Sequence, residues 1–317
     1  MFYRIKLHFM KFLKISYLLF FCLALEAVIV DTGHANVSLV KFESLEGDRS
    51  KTLLGIKMDM QENWHTYWKN PGDSGGPIKV KWSHDNNISI SKIYWPTPTL
   101  IPYEPLMTYG YKNFVIFPFE ITNSNNKNSY IEANIDFLIC DDICVPEKAL
   151  IKTNLDEIKS DPSLNDWFLK VPDQILPVKA SVDSEYINIR FSSPFDVSSA
   201  IFFVDEQDIV EHAENQKLSK EENNYLLSIK KVDYLESFEN LSGVLSINNN
   251  ESFIIDAEIE NITQNSLNIS FFQALIFAFV GGLILNLMPC VFPIISLKVL
   301  SFVSMSNQSP SKIRAHA

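Results

Sequence analysis

The stretch that decides the fold is YIEANIDFLICDDICVPEKALI, residues 130–151. Apolar and polar residues alternate along it, which is typical of a β-strand with one buried face. The runs ANIDFLIC and CVPEKALI end and begin at Cys140 and Cys144, and only DDI separates these cysteines. We therefore predict an antiparallel hairpin in which the two cysteines face each other, with Cβ atoms about 4.5–5.5 Å apart, near enough for a disulfide.

Similar alternating runs occur along most of the chain, separated by Gly, Pro, Asn and Asp. The first set lies between residues 37 and 155 (VSLVKFES, TLLGIKMDM, PIKVKWS, NFVIFPFEI, YIEANIDFLI), and the second between residues 178 and 262 (YINIRF, AIFFVDE, YLLSIKK, GVLSI, SFIIDAEI). We predict an all-β fold of two tandem immunoglobulin-like antiparallel β-sandwich domains, residues 36–158 and 178–265. A helical connector, residues 159–177, would join them, with Asp161 and Ser163 as candidate N-caps.

The N-terminus has the order of a secretory signal. Four basic residues precede the apolar run Ile15–Leu25, as in the basic and apolar regions of a signal peptide. We predict a signal peptide of residues 1–35, cleaved after Ala35, with cleavage near Ala27 as the alternative. Either cleavage removes Cys22, and export places Cys140 and Cys144 where a close pair is expected to be oxidised unless electrons are supplied.

The C-terminal part has a different character. Phe271–Pro289 is a stretch of 19 residues without a formally charged side chain, and a helix needs about 20 apolar residues to cross a bilayer. We predict a transmembrane α-helix after the two β domains, within a membrane segment of residues 271–303. Acidic residues precede it and basic ones follow, so the β domains would lie outside and residues 304–317 in the cytoplasm.

Cys290 lies in this segment, between Pro289 and Pro293. A proline inside a helix removes a hydrogen bond and crowds the preceding turn, so the helix would break beside this cysteine. Broken backbone in a membrane is tolerated only where protein or a water-filled cavity surrounds it. Cys290 is therefore a candidate functional residue.

Composition excludes some classes of function. The net charge of −11 opposes binding to phosphate backbones, so nucleic acid is not an expected partner. An apolar content of 46% indicates a buried core rather than a disordered chain.

Three interpretations remain open for Cys140 and Cys144. A metal site needs about four ligands, and the external histidines His65, His84 and His212 occur singly, so no metal is expected. A structural disulfide across so short a loop would stabilise the fold by roughly 2 kcal/mol, less than a long-range link. Reversible exchange suits a close pair, because opening and closing it needs little backbone motion.

Several long motifs resemble the thiol–disulfide interchange protein DsbD family, in particular its ScsB-like branch. They are WHTYWKNPGDSGGP (64–77), YWPTPT (94–99), TYGY (108–111), LICDDICVPE (138–147) and LNLMPCVFPIISLKVLSF (285–302). The resemblance covers residues 40 to 317 and implies a protein-disulfide reductase in the bacterial inner membrane with its N-terminal domains in the periplasm. It implies no organic cofactor.

The resemblance also implies roles for single residues. Cys144 would form mixed disulfides and Cys140 would resolve them, while Cys290 would be the first of two membrane cysteines. The loop Leu106–Tyr111 takes the place of a cap over the cysteines, with Tyr109 as the shielding aromatic; the alternative for Tyr109 is a packed turn residue.

The partners implied are cytoplasmic thioredoxin, a thioredoxin-like domain, periplasmic disulfide isomerases and cytochrome c maturation proteins. Electrons would pass from thioredoxin through the membrane to these proteins. The family continues into further membrane helices where this sequence ends at SKIRAHA, so we expect a truncated chain. The alternatives are a membrane-tethered β-sandwich binding protein with a structural disulfide, and a copper-binding protein.

The aromatic residues near the first motif have a structural interpretation. Trp64, Trp68 and the Pro71–Gly72 pair are expected to form sandwich core and turn. His65 follows an aromatic residue and is expected to be a hydrogen-bonded structural histidine, outside the site.

Overall fold

The chain is described here by a computed structural model over residues 28–42, 51–123, 129–222, 224–235, 238–260 and 271–286. The strands of the first region are β1 Ile29–Asp31, β2 Ala35–Lys41, β3 Lys51–Met60, β4 His65–Gly72, β5 Lys79–His84, β6 Ile88–Ile90, β7 Thr99–Tyr103, β8 Leu106–Lys112, β9 Phe114–Asn123, β10 Tyr130–Cys140 and β11 Cys144–Asn154. Those of the second region are β12 Val178–Val182, β13 Tyr186–Phe191, β14 Ala200–Val204, β15 Lys217–Glu221, β16 Asn224–Lys230, β17 Asn240–Ile247 and β18 Glu251–Glu260. The α-helices are α1 Asn165–Phe168 and α2 Phe271–Asn286.

The first region contains two antiparallel sheets. One has the strand order β1-β2-β3-β9-β6, and the other has the order β11-β10-β4-β8-β7, with β5 also paired to β10. Alternation along each strand gives each sheet an apolar face, and Ile56, Trp68, Phe117 and Ile135 are fully buried in the shared core. The sandwich predicted for this region is therefore present.

The second region has one feature that alternation did not predict. Its seven strands form one hydrogen-bonded path, β14-β17-β18-β12-β13-β16-β15, because β12 and β18 pair in parallel through Ala180 and Ile259. The remaining pairs are antiparallel, and the strands enclose a separate core that includes Ile189, Leu227 and Leu245. The prediction of an antiparallel sandwich is corrected at this one pair.

The two β regions fall within one compact unit. Phe203 and Val244 of the second region belong to the apolar core of the first. The connector contains a 3-10 turn, Pro162–Leu164, and the four-residue helix α1. Leu164 takes the N-cap position of α1, without a side-chain hydrogen bond, so neither Asp161 nor Ser163 occupies it. The domain boundaries stated from the sequence remain predictions.

The N-terminal edge includes residues that the predicted signal peptide would remove. β1 pairs with β2 from Ile29 to Asp31, and the His34 ring stacks on Trp64 at 3.9 Å. Cleavage after Ala35 would delete this edge strand, whereas the alternative near Ala27 would keep it. Residues 1–27, with Cys22, lie outside the described residues.

The helix α2 covers 16 residues, Phe271–Asn286. Within the part of the chain that the structure describes, no helix combines the length and apolarity needed to span a bilayer. The predicted transmembrane helix is thus not supported by the described part of α2. The rest of the predicted membrane segment, and residues 304–317, lie outside the described residues.

Candidate functional site

The hairpin β10–β11 brings the two cysteines together. Its antiparallel ladder runs from Tyr130 opposite Asn154 to Cys140 opposite Cys144. The cysteines form a disulfide, with 4.1 Å between their Cα atoms. The facing arrangement expected from the DDI spacing is confirmed, and the disulfide lies beside the turn, at the last pair of a ladder that runs the whole length of the hairpin.

The two sulfur-bearing residues differ in accessibility. Cys140, the last residue of β10, is 1% exposed. Cys144, the first residue of β11, is exposed. A thiol of another protein can approach only an accessible sulfur, so this arrangement favours attack at Cys144 and release of Cys140.

Tyr67 supplies a polar group to the disulfide. Its hydroxyl donates a hydrogen bond to Cys140 Sγ at 2.8 Å and lies 3.4 Å from Cys144 Sγ. The side chain is 1% exposed, and burial raises the pKa of Tyr67, with a hydrogen bond to Ser74 acting in the opposite direction. The hydroxyl therefore keeps its proton at neutral pH and can donate to a thiolate on Cys140.

The loop that follows β4 packs on Tyr67. Gly75 has φ +98°, and a Cβ added there would lie 2.2 Å from the Tyr67 ring. Only glycine combines that backbone conformation with so close an approach. The loop also pairs with β4 through a parallel backbone bridge between Tyr67 and Pro77, so it is held close to the tyrosine.

His65 lies beside the same cysteine. It is the residue of β4 that pairs directly with Cys140, it is 8% exposed, and its ring centroid is 5.3 Å from that of Tyr67. Burial lowers the pKa of His65; the positive charge of Lys112 lowers it further, and the negative charge of Asp141 raises it. The imidazole is neutral at pH 7.

Tyr109, the expected shield, makes its contacts elsewhere. Its hydroxyl is 2.9 Å from His212 Nδ1, and its ring packs against Trp68 and Phe203 at centroid distances of 6.5 and 5.1 Å. Burial raises the pKa of Tyr109, with a smaller contribution from Asp73. These contacts lie at the junction of the two β regions, and they fit the alternative of a packed residue.

Of the other residues predicted from the sequence, the two tryptophans lie in or against the first core. Trp68 is fully buried in the first core, and Trp64 packs against that core. Cys290 lies outside the described residues, so its role stays a prediction. Within the described ranges, no group of three or more His, Cys, Asp or Glu side chains could hold a metal ion.

Sequence reasoning missed Tyr67 and set His65 aside. The Tyr67 hydroxyl contacts the disulfide and His65 faces Cys140 because β4 is the neighbour of β10 in the sheet. The available signal was the alternation in HTY, which puts His65 and Tyr67 on one face of a strand.

Residues 36–155 match the family described as thiol:disulfide interchange protein DsbD, N-terminal. These residues belong to the DsbD family. The match includes Cys140, Cys144, His65 and Tyr67, so the whole disulfide site lies within the DsbD N-terminal domain.

A solved structure resembles more of the chain than this domain. The crystal structure of the N-terminal periplasmic domain of ScsB from Proteus mirabilis superimposes with a TM-score of 0.58 at 17% sequence identity, covering 74% of this chain and 97% of that one. At this identity the likeness concerns the fold, and its coverage extends beyond the DsbD N-terminal domain. No curated protein sequence matches the chain significantly.

Proposed function

We propose that the chain is the periplasmic reducing arm of a transmembrane protein-disulfide reductase of the bacterial inner membrane. Electrons would come from cytoplasmic thioredoxin through a membrane domain that includes Cys290, and through a thioredoxin-like domain. They would reach Cys140 and Cys144 and then pass to periplasmic disulfide isomerases and cytochrome c maturation proteins. Membership of residues 36–155 in the DsbD family supports the thiol–disulfide chemistry.

One observation carries this proposal: an exposed Cys144 is joined to a buried Cys140 whose sulfur accepts a hydrogen bond from Tyr67. An exposed sulfur can form a mixed disulfide with another protein. A buried sulfur with a hydrogen-bond donor is suited to be the leaving thiolate, because the donor stabilises its charge.

The chemistry consists of two exchanges. In the reduced domain, the Cys144 thiol loses its proton and attacks a client disulfide, and one client sulfur leaves as a thiolate and takes up a proton. The Cys140 thiol then loses its proton and attacks Cys144 Sγ, the Cys144–client bond breaks, and the second client sulfur leaves and takes up a proton. The client gains two electrons and two protons, and the Cys140–Cys144 disulfide forms.

The ladder argues against a purely structural disulfide. Cys140 and Cys144 follow ten other residue pairs that already align β10 with β11. A cross-link between strands so aligned restricts the unfolded chain little, since the loop it closes is short.

The experiment is to trap the mixed disulfide. Full-length chain carrying Cys22→Ser and Cys290→Ser would be reduced and mixed with an oxidised thioredoxin-like protein, with Cys140→Ser added to block resolution. We expect a covalent complex, cleaved by dithiothreitol, that forms through Cys144. Cys144→Ser in place of Cys140→Ser is the matched control and should give none. Absence of a complex with Cys140→Ser, or equal complexes with both variants, contradicts the proposal.

A further inference from the structure

His65 shares a face of the sheet with both the Cys140 sulfur and the Tyr67 hydroxyl. Residues that face each other across an antiparallel pair point to the same side, with Cβ atoms about 4.5–5.5 Å apart, and His65 faces Cys140 in this way. Tyr67, two residues along the same strand, points to the same side and reaches Cys140 Sγ. The imidazole is thus a neighbour of the sulfur that must change its protonation state.

The surroundings of His65 keep the imidazole neutral. Lys112 of β8 faces it on the side away from Cys140, and Asp141 lies in the turn after Cys140. Burial and Lys112 lower the pKa of His65, and Asp141 raises it by a smaller amount. The uncharged side chain of Tyr67 is a further titratable neighbour on β4, with its ring centroid 5.3 Å from that of His65. A neutral imidazole has a free lone pair, which can accept a proton.

We propose that His65 is the base that removes the proton from the Cys140 thiol when this cysteine resolves the mixed disulfide on Cys144. This rests on the proposed function, because it assigns a step in that exchange. The family match and the sequence motifs do not by themselves assign it. The inference rests on the position of His65, which is buried and lies directly opposite Cys140 on the neighbouring strand.

The proton and the electron pair of this step are both accounted for by groups at the site and the client sulfur. The proton of the Cys140 thiol moves to the His65 imidazole, and the freed sulfur attacks Cys144 Sγ. The bond between Cys144 and the client sulfur breaks, and that client sulfur leaves with the electron pair. The imidazolium of His65 returns the proton to the departing sulfur or to water, so the imidazole is neutral again at the end.

His65 and Tyr67 would have different tasks. A thiol has an ordinary pKa of about 8.5, above that of a neutral buried imidazole, so transfer to His65 is completed only as the sulfur attacks. The Tyr67 hydroxyl stabilises the negative charge on Cys140 by donating a hydrogen bond, and its raised pKa keeps it in the protonated form that can donate. A buried thiol lacking such a base would have to release its proton to water, from which Cys140 is largely shielded.

The test separates the two exchange steps with Ellman's reagent. In reduced full-length chain with Cys22→Ser and Cys290→Ser, attack by Cys144 releases one thionitrobenzoate, and attack by Cys140 on the resulting mixed disulfide releases a second. We expect His65→Gln to slow the second release by about tenfold or more at neutral pH. The first release should change little, because it involves the exposed Cys144.

The pH profile identifies the base. In the unchanged chain, the rate of the second release should rise through an inflection below pH 7 and then level off. In His65→Gln this inflection should disappear, and the rate should follow the thiol, near pH 8.5. His84→Gln, which changes an exposed histidine of β5, is the matched control and should keep the original profile.

The outcomes distinguish this inference from the proposed function. If the unchanged chain releases only one thionitrobenzoate, Cys140 does not resolve and the proposed function fails. If two are released but His65→Gln keeps the rate and profile of the unchanged chain, only the role of His65 fails. Should His65→Gln not fold, as judged by circular dichroism, a profile of the unchanged chain without an inflection below pH 7 contradicts the inference by itself.

Discussion

Tyr67 donates a hydrogen bond from its buried side chain to the disulfide. Its hydroxyl lies 2.8 Å from Cys140 Sγ, and a hydrogen bond to a charged sulfur is stronger than one to a neutral sulfur. The bond therefore stabilises the reduced, deprotonated form of Cys140 more than the disulfide. Removing it should change exchange kinetics more than it changes the fold.

We expect Tyr67→Phe to slow the second thionitrobenzoate release by about three- to tenfold and to raise the pKa of the Cys140 thiol, because a hydrogen bond to a charged group contributes about 1.5–3 kcal/mol at most. Stopped-flow absorbance and the pH dependence of thiolate absorbance measure both. Tyr111→Phe is the matched control: the buried Tyr111 hydroxyl bonds to the Pro96 carbonyl at 2.7 Å, so its removal should lower stability without slowing exchange. Equal effects of the two variants on exchange would contradict the role of Tyr67.

Some residues of the site could be predicted from the sequence, and others could not. The pairing of Cys140 with Cys144 could be predicted from their spacing, because two cysteines around a short turn face each other in a hairpin. The presence of Tyr67 and His65 beside Cys140 could not be predicted, since it depends on which strand neighbours β10. Tyr109 was assigned through a resemblance in its loop, and the structure places its hydroxyl against His212.

The β10–β11 hairpin is held by its ladder and its buried residues more than by its disulfide. Ile135, in the middle of β10, is fully buried, whereas the disulfide joins the last pair of the ladder. The contribution of each can be compared directly by substitution.

We expect the double variant Cys140→Ala with Cys144→Ala to lower the free energy of unfolding by about 2 kcal/mol or less. Ile135→Ala should lower it by about 2–5 kcal/mol, because it leaves a cavity in the first core. Urea unfolding followed by circular dichroism measures both. A larger loss for the double cysteine variant than for Ile135→Ala would favour a structural disulfide.

The loop between β4 and β5 contains two adjacent glycines with different surroundings. A Cβ on Gly75 would lie 2.2 Å from the Tyr67 ring, while one on Gly76 would lie 3.7 Å from Leu138 Cδ1, an ordinary contact. We expect Gly75→Ala to displace Tyr67, lowering stability and slowing the second release, whereas Gly76→Ala should alter both much less. Thermal unfolding and the Ellman assay test this pair. A harmless Gly75→Ala would show that the loop does not hold Tyr67.

At the level of elements, the sequence predicted strands well and their partners less well. Alternating runs located the hairpin β10–β11 and most other strands, because burial of one face imposes the period of two. The parallel pairing of β12 with β18 joins strands far apart in sequence, and nothing in the local pattern of either strand encodes that neighbour.

For the molecule as a whole, the junction of the two β regions is held by polar contacts and includes a partly buried histidine, His212. Asn70 donates hydrogen bonds to the carbonyls of Val204 and Glu206, both at 2.9 Å. Lys69 pairs with Asp205 at 2.7 Å. His212 contacts Tyr109 in the same junction, and burial lowers the pKa of His212, with Asp73 and Asp208 acting in the opposite direction.

The sign of the pH effect follows from that lowered pKa. The folded chain binds its proton at His212 less readily than the unfolded chain, whose histidines titrate near about pH 6.5. The contribution of neutral His212 is therefore complete above about pH 6.5 and is lost as the pH falls through the lower folded pKa. We expect the free energy of unfolding to fall on acidification through this window and to fall less steeply in His212→Gln.

Urea unfolding at a series of pH values measures this dependence. His84→Gln is the control, since His84 is exposed and should leave the slope unchanged. A slope in His212→Gln equal to that of the unchanged chain would show that the junction histidine does not titrate on unfolding.

The whole-molecule prediction was right in its all-β character, and the match to the DsbD N-terminal family covers residues 36–155. At the two ends, β1 lies within the predicted signal peptide, and the described part of α2 does not support the predicted transmembrane helix. The pattern of runs indicated two β regions, but the contribution of Phe203 and Val244 to the first core depends on tertiary packing. Strand β1 was assigned to the signal peptide because the small residues Gly33 and Ala35 in TGHA fit a cleavage site after Ala35.

The most direct test of reversible exchange is the reduction potential of the Cys140–Cys144 disulfide. It would be measured in the full-length chain with Cys22→Ser and Cys290→Ser, by equilibration with glutathione or dithiothreitol buffers and alkylation of the free thiols. We predict a potential above about −300 mV, within the range of disulfides that exchange with thioredoxin-like proteins. A potential well below about −300 mV, with the pair still bridged in strongly reducing buffer, would contradict the account and leave Cys140–Cys144 as a structural link.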